Sequence, residues 1–181
     1  MSEVKNKIVC IVGASGSGKT TLYDILREEG FAVVDSYTTR PPRKENELGH
    51  TFVTKEGFDA IRPNLAAYTV FDGHEYGTTF EQLENSQFYI IDPAGVQYFS
   101  EKIGRENFTV VYIYCSEDTR LERMKKERSE EQAIQRIDHD EHKFGNFFDF
   151  DHIRQNEFFE QIAPNIEFLV RLYKESNNLE V

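Results

Sequence analysis

A glycine-rich stretch ending in lysine and threonine is the clearest chemical motif in the sequence. Residues 13–20 read Gly-Ala-Ser-Gly-Ser-Gly-Lys-Thr, which fits G-x-x-x-x-G-K-[ST], the pattern of a phosphate-binding loop, or P-loop. Glycines let backbone amides approach a phosphate without side-chain clashes. In such a loop Lys19 contacts the outer phosphates and Thr20 offers its hydroxyl to Mg²⁺. The residues predicted to bind the nucleotide are Gly13, Ala14, Ser15, Gly16, Ser17, Gly18, Lys19, Thr20 and Thr21.

The segments on either side supply the elements that such a loop needs. The apolar run 8–12 is typical of a buried parallel strand, and residues 20–29 have apolar side chains at helical spacing. A second strand is predicted at 31–34. Strand, helix and strand in this order predict a right-handed parallel unit.

Two arginines follow that unit in a stretch that prolines hold extended. Arg40 and Arg43 flank Pro41 and Pro42, which exclude a helix. Guanidinium groups match phosphate oxygens bidentately, so this pair is a candidate for a second phosphate site. A solvated surface pair remains the alternative. Two facing phosphate sites would favour transfer between two phosphorylated substrates over transfer to water.

Residues 36–83 interrupt the alternation of strands and helices. They contain predicted strands at 51–54, 66–71 and 75–78, with a turn at Asp72-Gly73 and a short helix at 55–61. The alternation then resumes. Strands are predicted at 88–91, 108–115 and 151–154, and helices at 93–103, from Ser116 onward and at 158–174. The pattern predicts a small insertion on a parallel sheet.

Chain length, net charge and composition exclude several classes of function. The 181 residues suffice for one domain with a sizeable core, and the net charge of −11 argues against a DNA, RNA or anionic-membrane binder. Cys10 and Cys115 lie in apolar runs and are predicted to be buried free thiols. No apolar run reaches the ~18 residues of a membrane span, and residues 1–7 lack an apolar signal core. We therefore expect a cytoplasmic protein, either a monomer or a homodimer.

Several segments resemble the guanylate kinase family, in the same order along nearly the whole chain. Residues 36–43, Ser-Tyr-Thr-Thr-Arg-Pro-Pro-Arg, are similar to its phosphate-binding segment S-x-T-T-R-x-P-R. Residues 75–78, Glu-Tyr-Gly-Thr, resemble its Y-G-[ST] turn. Residues 91–96 resemble its D-x-Q-G-V strand end, 129–136 its arginine-bearing lid, and 150–156 its last strand and the loop near adenine.

The resemblance implies a role for each matched residue. The acceptor phosphate would be held by Ser36, Arg40, Arg43 and Tyr76. Thr78 would contact the base, and Asp92 would accept from the base or order water near the metal. Lid arginines would close over ATP and stabilise charge on the transferred group, as such arginines do. The candidates are Arg123, Arg128 and Arg136, any of which is alternatively a surface residue.

The chain departs from the family pattern at three positions. His50 stands where the family has a phosphate-binding tyrosine, after a loop about two residues shorter; it is either a phosphate donor or an ordinary loop histidine. Ala67 falls where a glutamate pairs with guanine N1 and N2, and Ile90 falls on the first carboxylate of a D-I-D strand end. A methyl group cannot accept those donors, which leaves guanine recognition partly unpaired.

Together these observations predict an α/β fold of the P-loop NTPase type. It has a parallel sheet with helices on both faces, a small mixed α/β monophosphate-binding insertion and a helical lid. Within one domain of residues 1–181, the core would span 1–35, 86–122 and 137–181, the insertion 36–85 and the lid about 123–136.

The predicted activity is transfer of a phosphoryl group from ATP, with Mg²⁺, to a nucleoside monophosphate, with GMP or dGMP as first candidates. Lys19, Arg40 and the three lid arginines are the predicted catalytic residues, and Thr20 is the predicted metal ligand. Two alternatives stay open: a kinase of another acceptor, such as another monophosphate or a ribose phosphate, and a non-catalytic module that binds protein partners.

Overall fold

The first sheet is built from four parallel strands around the apolar run before the glycine loop. In the computed structural model, which describes residues 6–180, this run forms β1 (Ile8–Val12) with every residue buried. Its neighbours are β6 (Phe88–Ile90) and β7 (Phe108–Tyr114), and β8 (His152–Gln155) lies beyond β7. All pairings are parallel, in the order β6-β1-β7-β8. Continuous apolar strands of this kind require cover on both faces.

Helices supply that cover on both sides of the sheet. Cys10 and Val12 pack in one cluster with Val96 and Phe99 of α4 (Pro93–Ile103). Alternate residues Val9 and Ile11 point to the other face, where they pack with α1 (Lys19–Glu28) and α7 (Ile162–Ser176). Two further helices, α5 (Glu117–Lys125) and α6 (Glu130–Phe144), pack together over their own small apolar cluster. The predicted fold class is confirmed.

A second, mixed sheet lies within the predicted insertion. It contains β2 (Ser36–Thr38), β3 (His50–Phe52), β4 (Leu65–Phe71) and β5 (His74–Thr79), in the order β3-β2-β5-β4. The helices α2 (Lys55–Ile61) and α3 (Phe80–Glu84) flank it. The β4–β5 hairpin turns at Asp72 and Gly73, whose φ angles of 50° and 74° explain the turn signal read from the sequence. The exact division into core, insertion and lid stays a prediction.

Three local predictions differ from the structure. The strand expected at 31–34 is reduced to one bridge, between Val33 and Phe88, because Gly30 and Phe31 are still bonded to the end of α1. The strand Ser36–Thr38 was not predicted, since it pairs with distant segments rather than continuing a local pattern. The last helix begins at Ile162, after a short 3₁₀ turn at Phe159–Gln161.

The remaining structural expectations concern cysteines and membrane spans. Cys10 and Cys115 are free thiols and both are buried, as predicted. Within residues 6–180, no helix has the length and apolar character to cross a membrane. Most of the polar stretch 1–7, where no signal core is expected, lies outside the described residues.

Candidate active site

A cleft of about 1470 Å³ separates the glycine loop from the mixed sheet. The residues that line it come from α1, from the segment around β2 and β3, and from α6 with the turn before it; Asp72 of the hairpin and Ile90 of β6 also line it. The residues predicted for the site that line this cleft are Lys19, Thr20, Ser36, Arg43, His50, Arg128 and Arg136. Lys19 and Thr20 at the end of the glycine motif and Arg43 after the two prolines therefore face one space.

The glycine loop has a backbone that other residues would not allow. Gly16 and Gly18 have φ angles of 78° and 92°, in the left-handed region. A Cβ on Gly18 would lie 2.3 Å from Nδ2 of Asn156, and one on Gly16 would lie 2.8 Å from the carbonyl oxygen of Arg120. Asn156 also donates to the Ser17 carbonyl at 2.8 Å. Residues outside the loop thus fix its conformation. The loop leads directly into the N-terminus of α1.

Lys19 is folded against its own loop. Its Nζ donates to the Ala14 carbonyl at 2.9 Å and lies 3.5 Å from Oγ of Ser17. Burial lowers the pKa of Lys19 to about 8, against an opposing effect of the nearby Asp140 carboxylate. Thr20 follows at the cleft surface, one residue into the helix. A lysine and a hydroxyl at the N-terminus of a helix fit a Mg²⁺-bound polyphosphate.

A carboxylate also lies on this loop. Asp140 of α6 is 2% exposed, and its Oδ2 accepts a hydrogen bond from the amide of Ser15 at 2.5 Å. Nη1 of Arg120 lies 3.6 Å from the same oxygen. Neither Asp140 nor Arg120 is among the residues predicted for the site. The buried face of α6 consists of Ala133, Ile137 and Asp140. A charged residue in an otherwise apolar stripe of a helix was the sequence feature that could have indicated a buried carboxylate.

Arg40 forms an ion pair with Glu47 of the same chain. It is 8% exposed, and its guanidinium meets both oxygens of Glu47, at 2.7 and 3.3 Å. Glu47 also accepts from the backbone amide of Arg43 at 2.6 Å. Burial alone would raise the pKa of Glu47, but these hydrogen bonds and the arginine charges lower it. Arg40 therefore does not line the cleft, whereas Arg43 does.

Ser36 and His50 form a polar pair beside Arg43. Oγ of Ser36 lies 3.0 Å from Nδ1 of His50, across the parallel pairing of β2 and β3. Burial lowers the pKa of His50, and the charge of Arg40 lowers it further. The imidazole is therefore neutral at neutral pH, able to donate from one nitrogen and accept at the other.

The three predicted lid arginines separate into two groups. Arg128 and Arg136 line the cleft, and Arg136 also donates to Oγ of Ser15 at 3.0 Å. Arg136 pairs with Asp72 at the hairpin turn, so α6 touches the mixed sheet. Arg123 lies behind the loop, where it donates to the carbonyls of Gly16 at 3.2 Å and Asn156 at 2.9 Å. Its contacts are those of a residue that shapes the loop.

Tyr76, predicted to hold the acceptor phosphate, and Thr78, predicted to contact the base, do not line the cleft. Tyr76 packs edge to face on His50 at 5.5 Å between ring centroids, and Thr78 is fully buried. Ala67, 1% exposed, pairs with Thr78 in the hairpin and packs in the apolar core.

The carboxylate predicted to face the base, Asp92, is bonded to other residues of the protein. Asp92 caps α4 through the amide of Gly95 at 2.7 Å. Its other oxygen lies 3.0 Å from Oγ1 of Thr69 and 3.4 Å from Nζ of Lys143. Ile90, at the other carboxylate position, lines the cleft with an apolar side chain.

Comparison with known proteins identifies the family. The guanylate kinase family model matches residues 5–172. A guanylate kinase from Anaplasma phagocytophilum has a similar structure, with 22% identity and a TM-score of 0.65 over 96% of this chain and 89% of that one. An uncharacterized protein from Eubacterium ventriosum is similar at 11% identity and a TM-score of 0.51, covering 93% of this chain and 99% of that one. A search of curated proteins finds no match. The chain belongs to the guanylate kinase family.

Proposed function

We propose that the protein transfers the terminal phosphoryl group of ATP to the phosphate of a nucleoside monophosphate, forming the diphosphate and ADP. GMP and dGMP are the first candidate acceptors because the family and the motif at residues 36–43 point to them. The observation that carries the proposal is that Lys19 and Arg43 line one cleft. A lysine-bearing glycine loop and a guanidinium facing it suit two phosphate groups.

The donor binds on the glycine loop. The amides of the loop and of the first turn of α1 point at its phosphates, and Lys19 contacts the outer ones. The hydroxyl of Thr20 would hold Mg²⁺, which would supply positive charge against those phosphates. The left-handed glycines and the contact from Asn156 to Ser17 support this assignment, because they fix the loop in the conformation that precedes α1.

The acceptor phosphate binds to Ser36, Arg43 and His50, which lie together on the opposite wall. Arg40 contributes by holding Glu47 and, through it, the backbone of Arg43. Tyr76 supports the ring of His50 from the side. Of these residues, Arg43 is exposed to the cleft and provides the strongest contact that a dianionic phosphate could find there.

The reaction needs no general base. An oxygen of the acceptor phosphate is already anionic, forms the new bond to the terminal phosphorus of ATP, and the bridging oxygen leaves with ADP. Lys19, Arg128 and Arg136 stabilise the charge that spreads over the transferred group, which is how phosphoryl-transfer enzymes act. The ion pair of Arg136 with Asp72 joins α6 to the hairpin turn, and closure of these elements over the substrates would limit the access of water.

A second acceptor class is favoured by one observation. Ala67 is buried in the core and Asp92 is bonded to Thr69, Gly95 and Lys143, so neither offers a free carboxylate to guanine. A phosphorylated sugar would not need that carboxylate. The protein-binding module is the less favoured reading, because the phosphate loop retains Lys19 in a cleft.

An acceptor panel tests the proposal. ADP formation is measured in a coupled assay with GMP, dGMP, AMP, CMP, dTMP and ribose 5-phosphate, each against a control without acceptor. We expect acceptor-dependent ADP formation that Lys19→Ala abolishes. Stimulation by the sugar phosphate alone would favour the second acceptor class. ADP formation that no acceptor stimulates would contradict the kinase proposal.

A further inference from the structure

The glycine loop already holds an anion that belongs to the protein. Asp140, 2% exposed, accepts from the amide of Ser15 at 2.5 Å. Ser15 is the third residue of the motif that binds phosphates. Backbone amides of such a loop normally point at phosphate oxygens. A buried carboxylate in that place uses one of the donors that the nucleotide would otherwise meet.

The groups around the carboxylate are also those that bind phosphates. Nη1 of Arg120 lies 3.6 Å from Oδ2 of Asp140 and 3.5 Å from the carbonyl oxygen of Ser15. Nε of Arg136 donates to Oγ of Ser15 at 3.0 Å. Lys19 is close enough for the charge of Asp140 to raise its proton affinity against the effect of burial. An amide and a guanidinium group thus contact the carboxylate, and a second guanidinium group contacts the side chain of the same serine.

We propose that Asp140 occupies the place of the outermost donor phosphate and sets how strongly the donor site binds ATP relative to ADP. The inference rests on the donor site of the proposed function. Because Lys19 meets the outer phosphates of a bound nucleotide, an anion beside Lys19 opposes the terminal phosphate more than the inner two. ATP must displace this carboxylate, whereas ADP leaves it on the amide of Ser15.

The position of Asp140 on α6 links this displacement to the opposite wall. Arg136, one turn earlier on the same helix, pairs with Asp72 of the hairpin. A shift of α6 that carries Asp140 away from the loop would therefore also move Arg136 at the mixed sheet. The donor's terminal phosphate would in this way be sensed where the acceptor binds.

If Asp140 had only a structural role, the expected nucleotide affinities would differ from those of the proposal. A variant without the negative charge distinguishes the two roles. In Asp140→Asn the side-chain oxygen still accepts from the amide of Ser15, but the negative charge is gone. If Asp140 only fastens α6 to the loop, ATP and ADP affinities stay equal to the wild type or fall together. If it competes with the terminal phosphate, ATP binds more tightly.

The experiment is calorimetric titration of ATP and of ADP into the full chain with Mg²⁺ and without acceptor. We expect Asp140→Asn to lower the Kd for ATP about tenfold, the scale of one charge-assisted hydrogen bond, and that for ADP less than about threefold. Asp138→Asn is the matched control: it removes the same charge from an exposed position of the same helix and leaves both constants unchanged.

A second pair of variants protects the test against loss of folding. Arg120→Gln removes the partner that Asp140→Asn would leave buried, so the Arg120→Gln protein is compared with the Arg120→Gln, Asp140→Asn double variant. Tighter ATP binding by the double variant supports the inference. An unchanged or weaker ATP affinity, or equal shifts for ATP and ADP, overturns it alone. Absence of ATP binding by every protein overturns it together with the proposed donor site.

Discussion

Glu47 accepts hydrogen bonds from both terminal nitrogens of the Arg40 guanidinium, at 2.7 and 3.3 Å. The arginine that the sequence motif assigns to the acceptor phosphate is thus bonded to a carboxylate of the following loop. The same carboxylate fixes the amide of Arg43 at 2.6 Å. Under the proposed function, Arg40 would act on the acceptor through the loop that carries Arg43, and Arg43 would make the contact at the cleft surface.

Replacing Glu47 tests this pairing through stability. Glu47→Gln leaves the side chain of Arg40, 9% exposed, facing a neutral partner. We expect a free energy of unfolding about 1–3 kcal/mol lower at pH 7, the cost of losing a charged hydrogen bond at a buried group. Urea unfolding measures it. Glu45→Gln, at an exposed position of the same loop, is the control and changes little.

The pH dependence of that difference has a definite sign. The pKa of Glu47 is lower in the folded protein than its ordinary value of 4.5, so the unfolded chain takes up the proton first. The stabilisation is complete above pH 4.5 and disappears as the pH falls through the lower folded pKa. The difference between wild type and Glu47→Gln therefore shrinks in acid, and a difference that grows in acid would contradict the pairing.

Arg43 is expected to control acceptor affinity. Arg43→Ala removes the guanidinium that lines the cleft, and the KM for the acceptor should rise about tenfold to a hundredfold, the scale of one or two charge-assisted hydrogen bonds. The KM for ATP should change far less. Arg171→Ala, on the exposed side of α7, provides a control of equal charge and size. Equal effects of Arg43→Ala on both substrates would argue against separate donor and acceptor walls.

His50 is expected to act as a neutral hydrogen-bonding group. His50→Phe keeps a ring beside Tyr76 but loses the contact with Ser36, so the KM for the acceptor should rise several-fold with a smaller change in kcat. His50→Tyr, which restores a donor in the place of the family's tyrosine, should lie closer to the wild type. Steady-state kinetics with varied acceptor distinguishes the two variants. If His50→Phe binds acceptor normally, His50 is an ordinary loop residue.

Lys19 should impose a pH limit on donor binding. Its pKa is lowered to about 8, so the ammonium group is present below that pH and is lost above it. We expect the affinity for ADP to fall as the pH rises through about 8. Lys19→Arg, whose side chain stays charged, should bind ADP with no such inflection even if binding is weaker. An affinity for ADP that is constant between pH 7 and 9 in the wild type would contradict the assignment.

The parts of this structure that local patterns control were predictable. The apolar run 8–12, the glycine motif and the Asp-Gly turn each specify their own conformation, and all three appear where expected. Alternating strands and helices also predicted the parallel sheet and its helical cover. The short strand Ser36–Thr38 was missed because its conformation depends on partners elsewhere in the chain.

The partners of the internal carboxylates could not be predicted from the sequence for a different reason. Asp140 and Ser15 are 125 residues apart, and their contact depends on where α6 lies over the loop. The pairing of Glu47 with Arg40 depends on the path of an irregular loop. In both cases the sequence identified the basic group or the loop that binds an anion. It did not show which carboxylate of the same chain would reach it.

The most direct test of the whole account follows the fate of the terminal phosphate. ATP labelled in that position is mixed with enzyme and acceptor under single-turnover conditions, and the labelled products are separated. We predict that the label appears in the acceptor diphosphate, and that Arg43→Ala slows this transfer at low acceptor concentration. Label recovered only as inorganic phosphate, or retained in ATP with every acceptor, would contradict two facing phosphate sites in one cleft.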